Sequence, residues 1–473
     1  MKNKALLSIC SFLLLIILAA WQPTPKTKII CIGASITEGA RIENPRLYSF
    51  PGQLQTLLGK DYIVENYGVG GSTMLSNGDH PYIKTEAYQK ALQSNPDIVF
   101  IDLGGNDAKA RNRPYYAELE ENTREMIHSF KNLPSNPRVI VMLPTPFFVT
   151  DENGIYDPIC RKEIVPRLQK AAYEEKVELL DMYQLLIDRP ELIPDKIHPE
   201  VEGSAIMAER LYKQLTLPFD KSFDIFNVLN VSEIKYTVTN FAGYECASFI
   251  LKGRECKVVK PKMATKGNPW IWRARFWGHE AQTDIALLER GYHLVYFDQS
   301  GLMGNDECIT NWTIFYNLLH GGGLSKKVVL EGMSRGALYA LNWAAANPDK
   351  VAAVYIDNPL LDCRYFADRE LNELSRDLLK AYNLPDIASI RNFNNSPIDK
   401  VSEIVSGGYP ILILCADMDE AVPLSTIQDF EKKMKKAGGD LTVMVKKGFK
   451  HHPHSFPNPK KIIAFVEKAI DVK

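Results

Sequence analysis

The sequence carries almost no net charge, a formal −1 at pH 7 over 473 residues, and no stripe of lysine and arginine. That removes the electrostatic term behind most nucleic-acid affinity, so no nucleic-acid partner is expected. Low-complexity tracts and blocks of like charge are also missing. With 45% hydrophobic residues, 24% charged residues and 28 prolines spread along the chain, a largely disordered protein is excluded. Cysteine is scarce: there are eight, Cys10 among them, without CxxC or Cys/His ligand spacing, so no metal is expected. Cys31 and Cys415 sit inside apolar runs and read as small buried hydrophobes, whereas Cys246 and Cys256 are placed to flank a hairpin and bridge in an oxidising compartment. Neither a phosphate-cradling loop nor a dinucleotide fingerprint occurs, and no cofactor is expected.

Long apolar runs are confined to one place. Lys2 and Lys4 precede the almost wholly apolar stretch Ala5 to Ala20, which gives way to a polar, proline-containing segment. Sixteen apolar residues make a helix of about 24 Å, short for a hydrocarbon core of roughly 30 Å. Residues 1–23 therefore read as a secretory signal, which implies a periplasmic or secreted protein with no stable membrane insertion. No cysteine follows Ala19-Ala20, which disfavours lipidation.

From Lys28 the chain alternates short apolar runs with longer amphipathic ones. Lys28–Ile32, Ile98–Leu103, Arg138–Leu143 and Glu178–Asp181 read as buried parallel strands with helices between them, the pattern of a three-layer α/β/α unit. It spans residues 24–216. Residues 217–473 follow another order. They open with Tyr236–Thr239 and Ala247–Leu251, continue through Pro269–Arg275, Tyr292–Phe297, Lys326–Glu331, Val351–Ile356 and Pro410–Cys415, and end at Leu441–Val445. Antiparallel strands leading into a mainly parallel sheet are the order of an α/β-hydrolase, with Asp362–Val405 at the usual position of an inserted cap.

Four segments of the first unit carry chemistry. Gly33-Ala34-Ser35 follows the first strand, Asn66 to Thr73 is a glycine-rich turn, Gly104-Gly105-Asn106-Asp107 ends another strand, and Asp195-Lys196-Ile197-His198 comes late. A serine hydroxyl needs a base to take its proton, and that base needs a carboxylate to fix its tautomer. His198 and Asp195 supply both from one short loop. Backbone N–H groups at Ser35 and Gly71, with the Asn106 amide, are positioned to receive an oxyanion. In their order and spacing, GASIT, NYGVGGST, GGND and DKIH resemble the four blocks of the SGNH (GDSL-like) esterase/lipase family. The resemblance implies a flavodoxin-like fold, Ser35 as nucleophile, Gly71 and Asn106 as oxyanion donors, and Asp195 with His198 completing the triad. Ala34 departs from the usual Asp of the first block, which puts the geometry of that loop in doubt.

In the second unit, Gly332-Met333-Ser334-Arg335-Gly336 lies between the strand Lys326–Glu331 and a helical run. That is the context of a nucleophile elbow, in which the N–H of Arg335 faces the oxyanion. The segment Ala416 to Pro423 resembles the acid loop of α/β-hydrolases of the prolyl-oligopeptidase-like and carbohydrate-esterase groups, and the resemblance selects Asp419, four residues before the Pro of the VP pair. Asp417 then caps the turn. Lys447 to Ser455 supplies the base from among His451, His452 and His454, with His451 matching the first histidine after the strand. This loop offers no carboxylate or cysteine partner for zinc. A second oxyanion donor is expected between Arg273 and Phe276. Trp270, Trp272 and Trp277 read as core residues before sugar platforms.

The expected activity is ester hydrolysis on acylated oligo- or polysaccharides. O-acetyl groups fall to the first unit, and the same or another ester, such as feruloyl or uronate methyl, falls to the second. The rival readings make the second unit a serine peptidase or lipase, or make one unit an inactive binding module.

Overall fold

The computed structural model describes residues 26–470, so the expected signal segment lies outside the described residues. The first sheet has five parallel strands: β1 (Thr27–Gly33), β2 (Tyr62–Gly68), β3 (Ile98–Asp102), β4 (Arg138–Leu143) and β5 (Glu178–Asp181). Their order, β2-β1-β3-β4-β5, is that of a flavodoxin-like sheet with its switch point between β1 and β3. Both faces of β1 are covered: Ile30 and Ile32 join one core with Met126, Phe130 and Leu168, while Ile29 and Cys31 join another with Phe50, Leu54 and Met207. Burial on both faces is why these strands are continuous apolar runs without polar alternation. Helix α1 (Ser35–Glu38) begins directly at the end of β1, and α2 (Val201–Thr216) packs on the second face.

A short pair, β6 (Phe219–Asp220) with β10 (Ala264–Thr265), follows the first unit. The second sheet has nine strands. β7 (Tyr236–Phe241), β8 (Tyr244–Leu251), β9 (Arg254–Val259) and β12 (His293–Phe297) pair antiparallel in that order. From β12 the pairing is parallel through β11 (Trp270–Arg273), β13 (Val328–Met333), β14 (Val351–Asp357), β15 (Ile411–Ala416) and β16 (Leu441–Lys446). This is the expected α/β-hydrolase. The helices that matter for the site are α3 (Gln282–Leu288), α4 (Gly336–Ala346), α5 (Glu373–Ala381) and α6 (Lys460–Ile470). Leu378, Ile390, Phe393 and Ile398 of the inserted segment join the main core, so that segment is continuous with the body. Trp270 and Trp272 are wholly buried and stack, and Trp272 stacks again on Trp312 with centroids 4.3 Å apart. Trp277 packs between Phe241 and Tyr296, so all three tryptophans serve the fold.

A Cys246–Cys256 bridge, one of the options open from the sequence, is not formed. Strand register sets Cys246 opposite Val259 and Cys256 opposite Phe249, and the seven cysteines among the described residues are free and buried. Two thiols offset along a hairpin lie beyond the reach of a disulfide. Among the described residues no helix is long and apolar enough to cross a membrane.

Candidate active sites

The first site forms at the carboxyl end of the parallel sheet, where open α/β sheets bind ligands. Ser35 opens α1 as β1 ends, half-buried. His198 Nε2 stands 2.9 Å from Ser35 Oγ, and its Nδ1 is 2.7 Å from Asp195 Oδ2. Asp195 Oδ1 accepts the backbone N–H groups of Ile197 (3.0 Å) and His198 (2.7 Å), so one carboxylate shapes its own loop and orients the ring. Burial alone would raise the Asp195 carboxyl; the His198 N–H and ring, with the Ile197 N–H, outweigh it and hold the acid below its ordinary range. Arg41 Nε lies 3.3 Å from the same carboxylate, at its exposed edge.

Asn106 lines one cleft with Ser35, walled on the apolar side by Pro144, Phe147, Ile155 and Ile197. Its Nδ2 donates to Ser72 O at 3.1 Å, which ties the GGND segment to the glycine turn. A side chain at Gly70 would lie 3.9 Å from Ser35 Cβ, so the turn passes close beside the serine. Gly71 follows with φ +78°, a left-handed conformation that glycine adopts freely. Three side chains that sequence reasoning did not assign hold this frame. Asp107 accepts the N–H groups of Met74 (3.0 Å) and Leu75 (2.8 Å), and Asn112 Nδ2 donates to Asn106 O (3.0 Å). Asp102, at the end of β3, accepts the Thr37 hydroxyl at 2.8 Å and lines the cleft. Burial pushes the Asp102 and Asp107 carboxyls up to about 6 against the hydrogen bonds they accept. The short helix that follows Ala34 is thus tied to the end of β3 through Thr37.

In the second site Ser334 sits at φ +51°, the strained turn of a nucleophile elbow between β13 and α4. A side chain at Gly332 would meet the backbone of Ala337 at 2.7 Å, so only glycine permits the turn. His451 Nε2 is 3.0 Å from Ser334 Oγ, and its Nδ1 is 2.7 Å from Asp419 Oδ2. Asp419 Oδ1 accepts the N–H groups of Ala421 (2.8 Å) and Val422 (2.9 Å). Burial would raise its carboxyl, but the His451 ring and the Val422 N–H hold it below the usual range. Asp417 accepts the Gly448 N–H at 2.7 Å, a turn-capping contact.

Among the three histidines of the loop, only His451 faces the serine. His454 is buried with Nδ1 3.2 Å from Asp357 Oδ1, while His452 points outward. Two residues the sequence did not flag fix this loop. Asn358 Nδ2 donates to His451 O at 2.7 Å, and Lys446 Nζ, paired with Asp357 at 2.9 Å in full burial, donates to Pro453 O. The Ala274 N–H is taken by Glu331 O within the sheet, which leaves Arg275 and Phe276 in the stretch expected to supply the second oxyanion donor. The Arg335 guanidinium lies over Phe276, 5.4 Å from its centroid, and reaches Glu373 and Asp377 of α5 at 3.8 and 4.0 Å.

Residues 31–206 match the GDSL-like Lipase/Acylhydrolase family, and residues 321–471 match the Prolyl oligopeptidase family. Each match falls on a different unit of the chain, and each unit holds one of the two Ser–His–Asp arrangements. Among particular relatives, an acetylxylan esterase of Xylanibacter ruminicola is 34% identical over 208 residues, 40% of this chain and 43% of that protein. The chain thus spans under half the length of the curated relative it matches. Solved structures with low overall similarity include Est1E from Butyrivibrio proteoclasticus, 18% identical over 48% of this chain and 98% of its own, with a TM-score of 0.37. Est24, a carbohydrate acetylesterase from Sinorhizobium meliloti, is 18% identical over 40% of this chain and 98% of its own, with a TM-score of 0.33.

Proposed function

We propose that the chain is an exported two-site serine esterase acting on acylated carbohydrates, with the Ser35 unit removing O-acetyl groups and the Ser334 unit cleaving the same or a second ester. The observation that carries this reading is the pair of complete relays, with Nε2 to Oγ distances of 2.9 and 3.0 Å and a buried-edge carboxylate behind each ring. In each site the serine oxygen attacks the ester carbonyl as histidine Nε2 takes its proton, and the carboxylate steadies the imidazolium that forms. The oxyanion is received by Gly71, Asn106 and the Ser35 N–H in the first unit. In the second it is received by the Arg335 N–H with Arg275 or Phe276. Collapse breaks the ester bond, and the histidine returns the proton to the departing sugar hydroxyl. Water then attacks the acyl-serine by the same relay and releases the carboxylic acid.

The carbohydrate substrate is supported by the acetylxylan esterase relative, and export by the charged, then apolar, character of residues 1–20. A second reading, peptide cleavage at Ser334, is favoured by the Prolyl oligopeptidase match over residues 321–471. The test is a panel of Ser35→Ala, Ser334→Ala and the double variant. Each is assayed on p-nitrophenyl acetate, acetylated xylan, methyl and feruloyl esters, and a peptide set. Each single variant should lose one set of ester activities by about 10⁴-fold or more and retain the other. Untouched activities in Ser334→Ala, with all of them lost in Ser35→Ala, would make the second unit a passenger. Peptide cleavage lost in Ser334→Ala alone would establish the peptidase.

A further inference from the structure

The histidine-rich loop after β16 has no carboxylate beside it in sequence, but the fold brings one. The loop after β11 delivers His279 and Glu280 to His452. Glu280 Oε2 lies 3.3 Å from His279 Nε2 and 3.7 Å from His452 Nδ1. The two rings stand at 87° with centroids 5.4 Å apart, and all three donor atoms fall within 4.8 Å of one another. Two imidazole nitrogens and a carboxylate oxygen, each bound at about 2.0–2.1 Å in a tetrahedron, are separated by roughly 3.4 Å. The observed spacings need only small side-chain adjustments to meet that.

The neighbouring histidines are already engaged. His451 serves Ser334 and Asp419, and His454 is held by Asp357 in the interior. His279 and His452, by contrast, have side chains 51% and 59% exposed and open to a solvent ion. The supports behind them are fixed. Glu280 Oε2 accepts the His454 N–H at 2.7 Å, while the His279 carbonyl accepts the buried guanidinium of Arg273, itself paired with Asp284. Such outer contacts are what hold ligands in place before an ion arrives.

We propose that His279, Glu280 and His452 bind one divalent transition-metal ion, with water completing the coordination. Imidazole with carboxylate suits zinc and its neighbours and not magnesium or calcium. The ion links the loop that carries His451 to the loop that follows β11, two segments remote in sequence.

Zinc chloride titrated calorimetrically into the tag-free full chain should bind one ion per chain. His279→Ala and His452→Ala should each weaken that binding roughly tenfold or more, because each removes one of three ligands. His128→Ala, which removes an exposed histidine beside Glu175 in the first unit, should leave it unchanged. Cobalt(II) should give the intense visible bands of a tetrahedral site in the parent protein and lose them in His279→Ala. Zinc should also raise the unfolding midpoint of the parent and not of the His279→Ala/His452→Ala pair. Absence of zinc binding would overturn the proposal. So would binding that survives His279→Ala at full affinity, since the ion would then sit on His451, His452 and His454.

Discussion

At the scale of single residues the two sites share one relay and differ in the oxyanion donors proposed for them. The first uses a side chain, Asn106, whose carbonyl is held by Asn112 and whose amide is partly engaged by Ser72. Asn106→Ala should lower kcat of the Ser35-dependent activity by about 100- to 1,000-fold with little change in KM, leaving the Ser334-dependent activity intact. Steady-state kinetics of the Ser334→Ala background with and without this change checks it. A matching rise in KM would point to lost binding instead. The grouping of Ser35, Asp195 and His198 was legible because each sits in a short segment of restricted composition. Asp107, Asn112 and Asn358 were not, because each acts on a backbone group remote in sequence: Leu75, Asp79 and His451. Nothing local marks an asparagine whose partner is 93 positions away.

At the scale of elements, the turn between β13 and α4 shows that the two glycines of GMSRG do different things. A Cβ at Gly332 would lie 2.7 Å from the Ala337 backbone nitrogen, which has no rotamer to yield, whereas one at Gly336 would meet Arg275 Cβ at 3.4 Å, ordinary contact. Gly332→Ala should therefore abolish the Ser334-dependent activity or the soluble protein, and Gly336→Ala should keep that activity within about threefold, since a contact at van der Waals distance needs no backbone shift. Assays of both variants beside the untouched Ser35 activity separate the cases, and equal losses would refute the distinction. The same scale shows where pattern reading ran short. Buried strands such as β3 and β15 announce themselves as apolar runs, but β9 mixes Arg254, Glu255 and Lys257 with buried Cys256, Val258 and Val259. Its identity rests on pairing with β8 and β12, and that register is also what parts Cys246 from Cys256. The carboxylate beside the histidine loop was invisible for the same reason, since Glu280 and His452 meet through the sheet and not through spacing.

At the scale of the whole molecule, the two units meet across a chain of polar contacts. It runs from Arg138 and Glu178 through Gln214 to Arg210, then to Glu289 at the end of α3. Arg210 and Glu289, one from each unit, pair at 3.1 Å with side chains 3% and 4% exposed. Glu289 also accepts the Asp181 N–H at 2.7 Å, which sets two carboxylates close together at the end of β5. Burial, then the Glu289 charge, pushes the Asp181 carboxyl up to about 7, against the N–H groups of Tyr183 and Gln184 that it accepts. The folded protein therefore holds this proton more tightly than the unfolded chain, whose Asp titrates near ~3.9. As pH rises from about 4 the unfolded state loses the proton first. The stability from protonated Asp181 is thus fully present below that point, falls away up to about pH 7, and changes no further above it. Asp181→Asn keeps an acceptor for Tyr183 and Gln184 and removes the charge. At pH 8 it should stabilise the protein by about 1–2 kcal/mol, a shift of this size being discounted for partial solvent access, and at pH 4 it should change little. Urea unfolding of parent and variant at the two pH values measures this. An equal effect at both would mean that the Asp181 charge does not strain the joint between the units.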